Sequence, residues 1–185
     1  MRDAADADAW DTFVAQYVPV IYGYCRRHGL QESDARDVVQ DVLASVAGAI
    51  KTFEYDPGKG KFRSWLGVVT HRAMLKVRHR GRQPDQQGGD DSPALDGLGH
   101  VADPVWLDEV NQQIFRVARA RVAPEFKAPE WAVFEMVWEQ QVPASEAAER
   151  LGRDVAWVYK AKFRILQRLK AEMLLLASDW SIFND

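Results

Sequence analysis

The sequence predicts an all-α protein made of two small helical domains. Three observations carry that expectation. Apolar residues recur at three- and four-residue spacing over most of the chain, as in helices that bury one face. No segment stands out with the period of two that marks a half-buried strand. Residues 83–103 are rich in Gly, hold two Pro and few large apolar side chains, and divide the periodic segments in two.

The first expected domain spans residues 10–82. Trp10, Phe13, Val14, Tyr17, Val18 and Ile21 define an opening helix, and Gly29 is placed to end it. Ser33 or Asp34 is expected to cap the next helix, because a short polar side chain accepts a hydrogen bond from a free N–H of the first turn. Val38, Val39, Val42, Leu43, Val46 and Ile50 share one arc of that helix, and Asp34, Asp37 and Asp41 share the opposite arc. Pro57, Gly58 and Gly60 break it. A third helix from about Phe62 is expected to bury Trp65, Leu66, Val69, Ala73 and Leu75.

A flexible acidic linker over 83–103 and a second domain over 104–176 follow. Val105, Trp106, Val110, Ile114, Phe115 and Ala118 predict one helix. Trp131, Phe134, Met136, Val137 and Trp138 predict another. The remainder reads as a helix over Ala144–Leu151, a turn at Gly152, and a helix capped by Asp154. Val155, Val158, Phe163, Leu166 and Leu169 are expected to pack inward in whole or part. Trp157, Tyr159, Lys160, Lys162, Arg164 and Arg168 are left toward DNA or water.

Charge placement says more than net charge. The 185 residues sum to −3, with 47% hydrophobic residues. Residues 57–82 hold eight bases and no acid, whereas residues 83–110 hold seven acids and no base. A uniform solvated surface mixes signs, so basic modules separated by an acidic connector is the simpler reading. Bases neutralise phosphates and release counterions. No apolar run is long enough to span a bilayer. The acidic start MRDAADADAWD does not read as a signal peptide, and the single Cys25 fits a reducing cytoplasm.

Each constellation has a plain reading beside the functional one. The three aspartates also fit a solvated face, and the last two helices also fit an ordinary helical hairpin with a basic surface. Trp65 is assigned to the core by its spacing with Val69. Phe53, Tyr55 and Phe62 flank the Gly-rich turn and are placed for contact with unstacked bases. GKGK lacks the spacing of a Walker loop. The four histidines and Cys25 do not fall at zinc spacing, so no metal or cofactor is expected. No catalytic set is assembled, and an enzyme is not expected.

Tyr22 to Arg80, with DARDVVQDV, FEYDPGKGKFRSWL and VVTHRAMLKVRHR, resembles region 2 of a bacterial RNA polymerase sigma factor of the extracytoplasmic-function (ECF) type. The segment ERLGRDVAWVYKAKFRIL resembles sigma region 4. The lack of a long region 3 and of an extended N-terminal region matches the ECF type. The resemblance implies docking of Asp34, Asp37, Gln40 and Asp41 on the clamp helices of the polymerase largest subunit. It implies capture and melting of the minus-ten element by Phe53, Tyr55, Lys59 and Lys61 in the loop, and by Arg63, His71, Arg72, Lys76 and Arg78 on the helix. Region 4 is then expected to read the minus-thirty-five element through Trp157, Tyr159, Lys160, Lys162, Arg164 and Arg168, and to grip the polymerase flap. An anti-sigma factor is a further partner the resemblance allows. The recognition helix departs from the usual Thr-Val-Lys-Ser-Arg-like run, reading Trp157, Val158, Tyr159, Lys160, Ala161, Lys162. Two other classes fit the residues alone: a one-component helix-turn-helix regulator, and a helical adaptor without a DNA role.

Overall fold

The computed structural model describes the backbone of residues 2–50, 62–80 and 103–179, and it is helical with no strand among the described residues. Its helices are α1 (Arg2–Arg27), α2 (Glu32–Ile50), α3 (Phe62–Arg80), α4 (Pro104–Val122), α5 (Ala128–Val133), α6 (Ala144–Leu151) and α7 (Val155–Asp179). They fall into two compact units. One holds the described residues up to Gln113 and the other begins at Ile114. Residues Pro104–Gln113, expected to open the second domain, therefore pack with the first unit.

In the first unit, α1 turns Phe13, Tyr17, Val20, Ile21, Tyr24 and Cys25 inward. The helix runs through Pro19, whose missing N–H removes one intrahelical bond. It ends as expected at Gly29, which adopts the left-handed φ of 83°. There the Gly29 N–H bonds Arg26 O at 3.0 Å and the Leu30 N–H bonds Cys25 O at 3.1 Å, while the Leu30 side chain is buried.

Helix α2 starts one residue before Ser33. The Ala35 N–H bonds the carbonyl of Gln31, so Ser33 and Asp34 lie inside the first turn rather than at its cap. Two acids in that turn, Glu32 and Asp34, suit the positive end of the helix. Val38, Val39, Val42 and Val46 are buried as the spacing predicts, and Leu43 is half-buried.

Helix α3 corrects two expectations. Phe62 is buried against Phe13 and Tyr17, with ring centroids 6.0 and 5.9 Å away, so it is core and not a base-contacting side chain. The seam then runs Trp65, Leu66, Val69, Thr70 and Met74, leaving Leu75 38% exposed. One residue is 100° of helical turn, so a seam that reaches Met74 rotates Leu75 out of it. The buried Thr70 hydroxyl donates to the Leu66 carbonyl at 2.8 Å.

In the second unit the expected single helix around Trp131 has two parts. Helix α5 runs into a π-helical turn over Phe134–Glu139, where the Gln140 N–H reaches back to Glu135 O at 2.9 Å. Gln141 then takes a φ of 59° and Pro143 opens α6. The α6–α7 pair matches the sequence closely. Gly152 has a left-handed φ of 61°, and the Asp154 carboxylate accepts the Trp157 N–H at 2.7 Å. Val133, Ala147, Ala148, Val158 and Ala161 form the shared core, where the small side chains let the helices approach.

Candidate nucleic-acid interface

Three surfaces carry the residues the sequence singled out. The first is the outer face of α2. Asp37 and Gln40 are exposed, and Asp34 and Asp41 are half-buried. The same helix pairs Glu32 with Arg36 at the start of its acidic stripe.

The second is α3. Arg72, Lys76, Arg78 and His79 are exposed, with Leu75 among them. Arg72, Leu75, Lys76 and His79 sit at i, i+3, i+4 and i+7, so one stripe of the helix carries them. Arg63 and His71 are half-buried instead. The Arg78 guanidinium also bonds the His28 carbonyl. Phe53, Tyr55, Lys59 and Lys61 lie outside the described residues.

His71 belongs to a polar cluster that spacing alone did not reveal. The Tyr24 hydroxyl donates to Asp103 Oδ2 at 2.8 Å and lies 2.8 Å from His71 Nδ1. A hydroxyl has one proton, so with that proton on Asp103 the His71 Nδ1–H is the donor to the phenol oxygen. Asp103 Oδ1 accepts the Val105 N–H at 2.8 Å, capping α4, and His28 Nε2 stands 3.3 Å from Oδ2. Burial, then Asp103, holds the Tyr24 phenol well above its ordinary pKa. Burial works to raise the Asp103 carboxyl, but the Val105 N–H, the Tyr24 hydroxyl and His28 outweigh it and hold the group below its usual value.

The head of α4 is seated by two glycines. A Cβ on Gly67 would stand 2.9 Å from Trp106 Nε1, and one on Gly23 would collide with Glu109 Oε2. Trp106 is 1% exposed and its Nε1–H donates to Arg63 O at 3.0 Å. Arg27 pairs with Asp108 and reaches Glu109 at 3.4 Å. A sequence signal for this docking is the placing of Gly23 and Gly67 inside helices, although Gly48 inside α2 has nothing near it among the described residues.

The third surface is α7. Tyr159 and Phe163 are 58% and 63% exposed, and Val155 is 40% exposed. Phe163 and Val155, expected to pack inward, therefore face outward, because the buried seam runs Val158, Ala161, Ile165 and Leu169. Leu166 is half-buried and Leu169 is buried. Trp157 turns toward the core rather than out, with the Arg153 guanidinium 5.2 Å from its ring centre. Lys160 is exposed, and the Lys162 ammonium lies 5.6 Å from the Trp138 ring centre. Arg164 pairs with Glu130 at 2.7 Å. Arg168 joins Glu125 and Glu172 at 2.7 and 3.0 Å, so its charge is largely engaged inside the unit. Hydrogen bonds from Arg168 and Arg121 hold the Glu172 carboxyl below its usual range.

Burial pushes the Cys25 thiol up to about 12, which keeps it protonated and unreactive at neutral pH. Among the described residues no group of His, Cys, Asp or Glu is placed to hold a metal ion, and no helix is long and apolar enough to cross a membrane.

Residues 13–83 match the family model for sigma-70 region 2. The acidic face of α2 and the basic face of α3 both lie inside that match. The chain is also 24% identical over 179 residues to the ECF RNA polymerase sigma factor RpoE of Cereibacter sphaeroides, an alignment that covers 94% of this chain and 91% of that protein. The chain is thus similar to sigma-70 region 2 over residues 13–83 and, more distantly, to an ECF sigma factor over most of its length. No solved structure matches it. The sigma-70 region 2 match ends before α4, so the α6–α7 helix-turn-helix lies beyond it.

Proposed function

We propose that this protein is an ECF-type sigma factor that binds core RNA polymerase, directs it to a two-part promoter and helps open the duplex. The observation that carries the reading is the pairing, in one chain, of a region 2 match with a C-terminal helix-turn-helix whose second helix has a basic outer face. Asp34, Asp37, Gln40 and Asp41 dock on the clamp helices of the largest subunit. On α3, Arg72 and Lys76 face the minus-ten element, with Arg63 and Arg78 beside them. His71 serves through its bond to Tyr24 as a positioning residue for that helix. Phe53, Tyr55, Lys59 and Lys61 form the loop that receives bases leaving the stack. Extruding a base costs a few kcal/mol, which a pocket available only to the flipped base returns. The second unit reads the upstream element with the first turns of α7 in the major groove, and Lys160 and Lys162 at phosphates or base edges. It also grips the polymerase flap. The protein carries out no covalent chemistry in this scheme, and an anti-sigma factor is its natural antagonist.

Reconstituted transcription tests this directly. Bacterial core polymerase with the protein should initiate at a defined subset of a promoter library. Core alone should not. A one-component regulator would instead bind promoter duplex specifically without polymerase, and a helical adaptor would bind neither DNA form above background.

A further inference from the structure

The outer face of α7 carries an aromatic stripe with a specific chemical match. Ala156, Tyr159, Lys160 and Phe163 are all exposed and stand at i, i+3, i+4 and i+7. That is the spacing of a buried seam, yet it lies opposite the real seam of Val158, Ala161, Ile165 and Leu169. Phe163 is 63% exposed and Tyr159 58%. Neither their side chains nor that of Lys160 makes a hydrogen bond, ion pair or ring contact with other described residues. Two large aromatics held in water on adjacent turns mark a contact surface rather than scatter.

Charge selects the occupant. Val155 to Ala171 contains no acidic residue, and Lys160, Lys162 and Lys170 lie on it, with Arg164 paired to Glu130. A polyanion suits that setting. The duplex major groove admits one helix, and its one apolar feature is the thymine methyl group, which Ala and Phe side chains contact. Lys in the same groove bonds guanine O6 and N7.

Resting on the reading of this unit as the upstream-element reader, we infer that Phe163 is a specificity-determining residue that reads a thymine methyl group, with Lys160 one turn back reading a neighbouring guanine. The protein thereby selects its upstream element partly by apolar contact.

The test uses holoenzyme made with the full chain and a promoter duplex that this holoenzyme selects from a randomised library. Thymines of the upstream element are replaced one at a time by uracil, which removes only the methyl group, and guanines by 7-deazaguanine. At least one uracil should weaken wild-type binding about fourfold, the change that corresponds to about 0.8 kcal/mol for one methyl returned to water. Phe163→Ala should lose a similar factor and no longer distinguish uracil from thymine at that position. Lys160→Ala should keep the thymine preference and lose the response to 7-deazaguanine. Both side chains are exposed, so circular dichroism should show both variants folded. Two results overturn the inference while leaving the sigma reading intact: a footprinted upstream element with every uracil duplex bound as tightly as its parent, or thymine preference retained in Phe163→Ala. Failure to select any promoter in the presence of core would overturn both.

Discussion

Helices α3 and α7 look alike in sequence, each basic, each studded with aromatics, and each set against its own small core. Their outer faces differ. On α3 the first half is committed inward: the Phe62 and Trp65 side chains to the core, the His71 ring to Tyr24, and the Arg63 backbone carbonyl to Trp106. Its exposed cations lie later, at Arg72, Lys76 and Arg78. On α7 the order is reversed. The early turns present Tyr159, Lys160 and Phe163 to solvent, and the later Arg168 is held by Glu125 and Glu172. A count of bases therefore misstates both surfaces. The charge that can meet a ligand is what remains after internal partners have taken their share.

Several substitutions probe that contrast. The largest effect should come from Trp106→Ala. It empties the seat against Gly67 and Tyr24 and should destabilise the first unit by about 3–5 kcal/mol, measured by denaturant unfolding. An unchanged transition would show that the head of α4 is not part of that core.

Next comes Glu172→Gln, which weakens two ion pairs in the second unit. Because Arg121 and Arg168 are partly exposed, solvent screening limits the loss to about 1–2 kcal/mol. The same group sets a pH dependence. Its folded pKa lies below its unfolded value, so its contribution is complete above about pH 4.3 and fades as pH falls through the folded value. Asp103 behaves alike in the first unit from about pH 3.9 downward. Thermal melts should thus be insensitive to these two groups between pH 7 and pH 5. Their contributions should be lost only in stronger acid, and Glu172→Gln should remove the second unit's part of that acid response.

Asp154→Ala should cost about 1 kcal/mol through loss of the α7 cap, and it should loosen the helix that carries Lys160 and Phe163. Smallest in stability and large in function, Asp37→Lys should shift unfolding by no more than about 0.5 kcal/mol while weakening binding to core polymerase. Core affinity equal to wild type would remove α2 as the docking face.

Much of this arrangement was legible in the sequence. The α6–α7 boundaries, the Gly29 and Gly152 stops, the Asp154 cap and the valine seam of α2 each follow from local chemistry. The errors have two physical sources. A seam position can slip by one residue without disturbing the apolar pattern, which is how Met74 replaced Leu75; Phe163, two residues from both Ala161 and Ile165 and on the far side of the helix, was placed inward for its apolar ring alone. Contacts between residues far apart in sequence leave no periodic trace. Tyr24 meets His71 and Asp103, and Gly67 meets Trp106, so the docking of the α4 head and the partial burial of His71 could not be read from spacing. Two of the three helix-interior glycines, Gly23 and Gly67, hinted at the docking of the α4 head.

The most direct test of the central claim is a footprint of the holoenzyme on one of its own promoters, read with permanganate for unpaired thymines. Lys160→Ala with Phe163→Ala should lose protection of the upstream element alone. Arg72→Ala with Lys76→Ala should keep upstream protection and lose strand opening at the downstream element, with much of the defect rescued by a pre-melted bubble. If both double variants lost the same element, or if the protein gave the full footprint without polymerase, the account of two separate promoter-reading helices on a sigma factor would be contradicted.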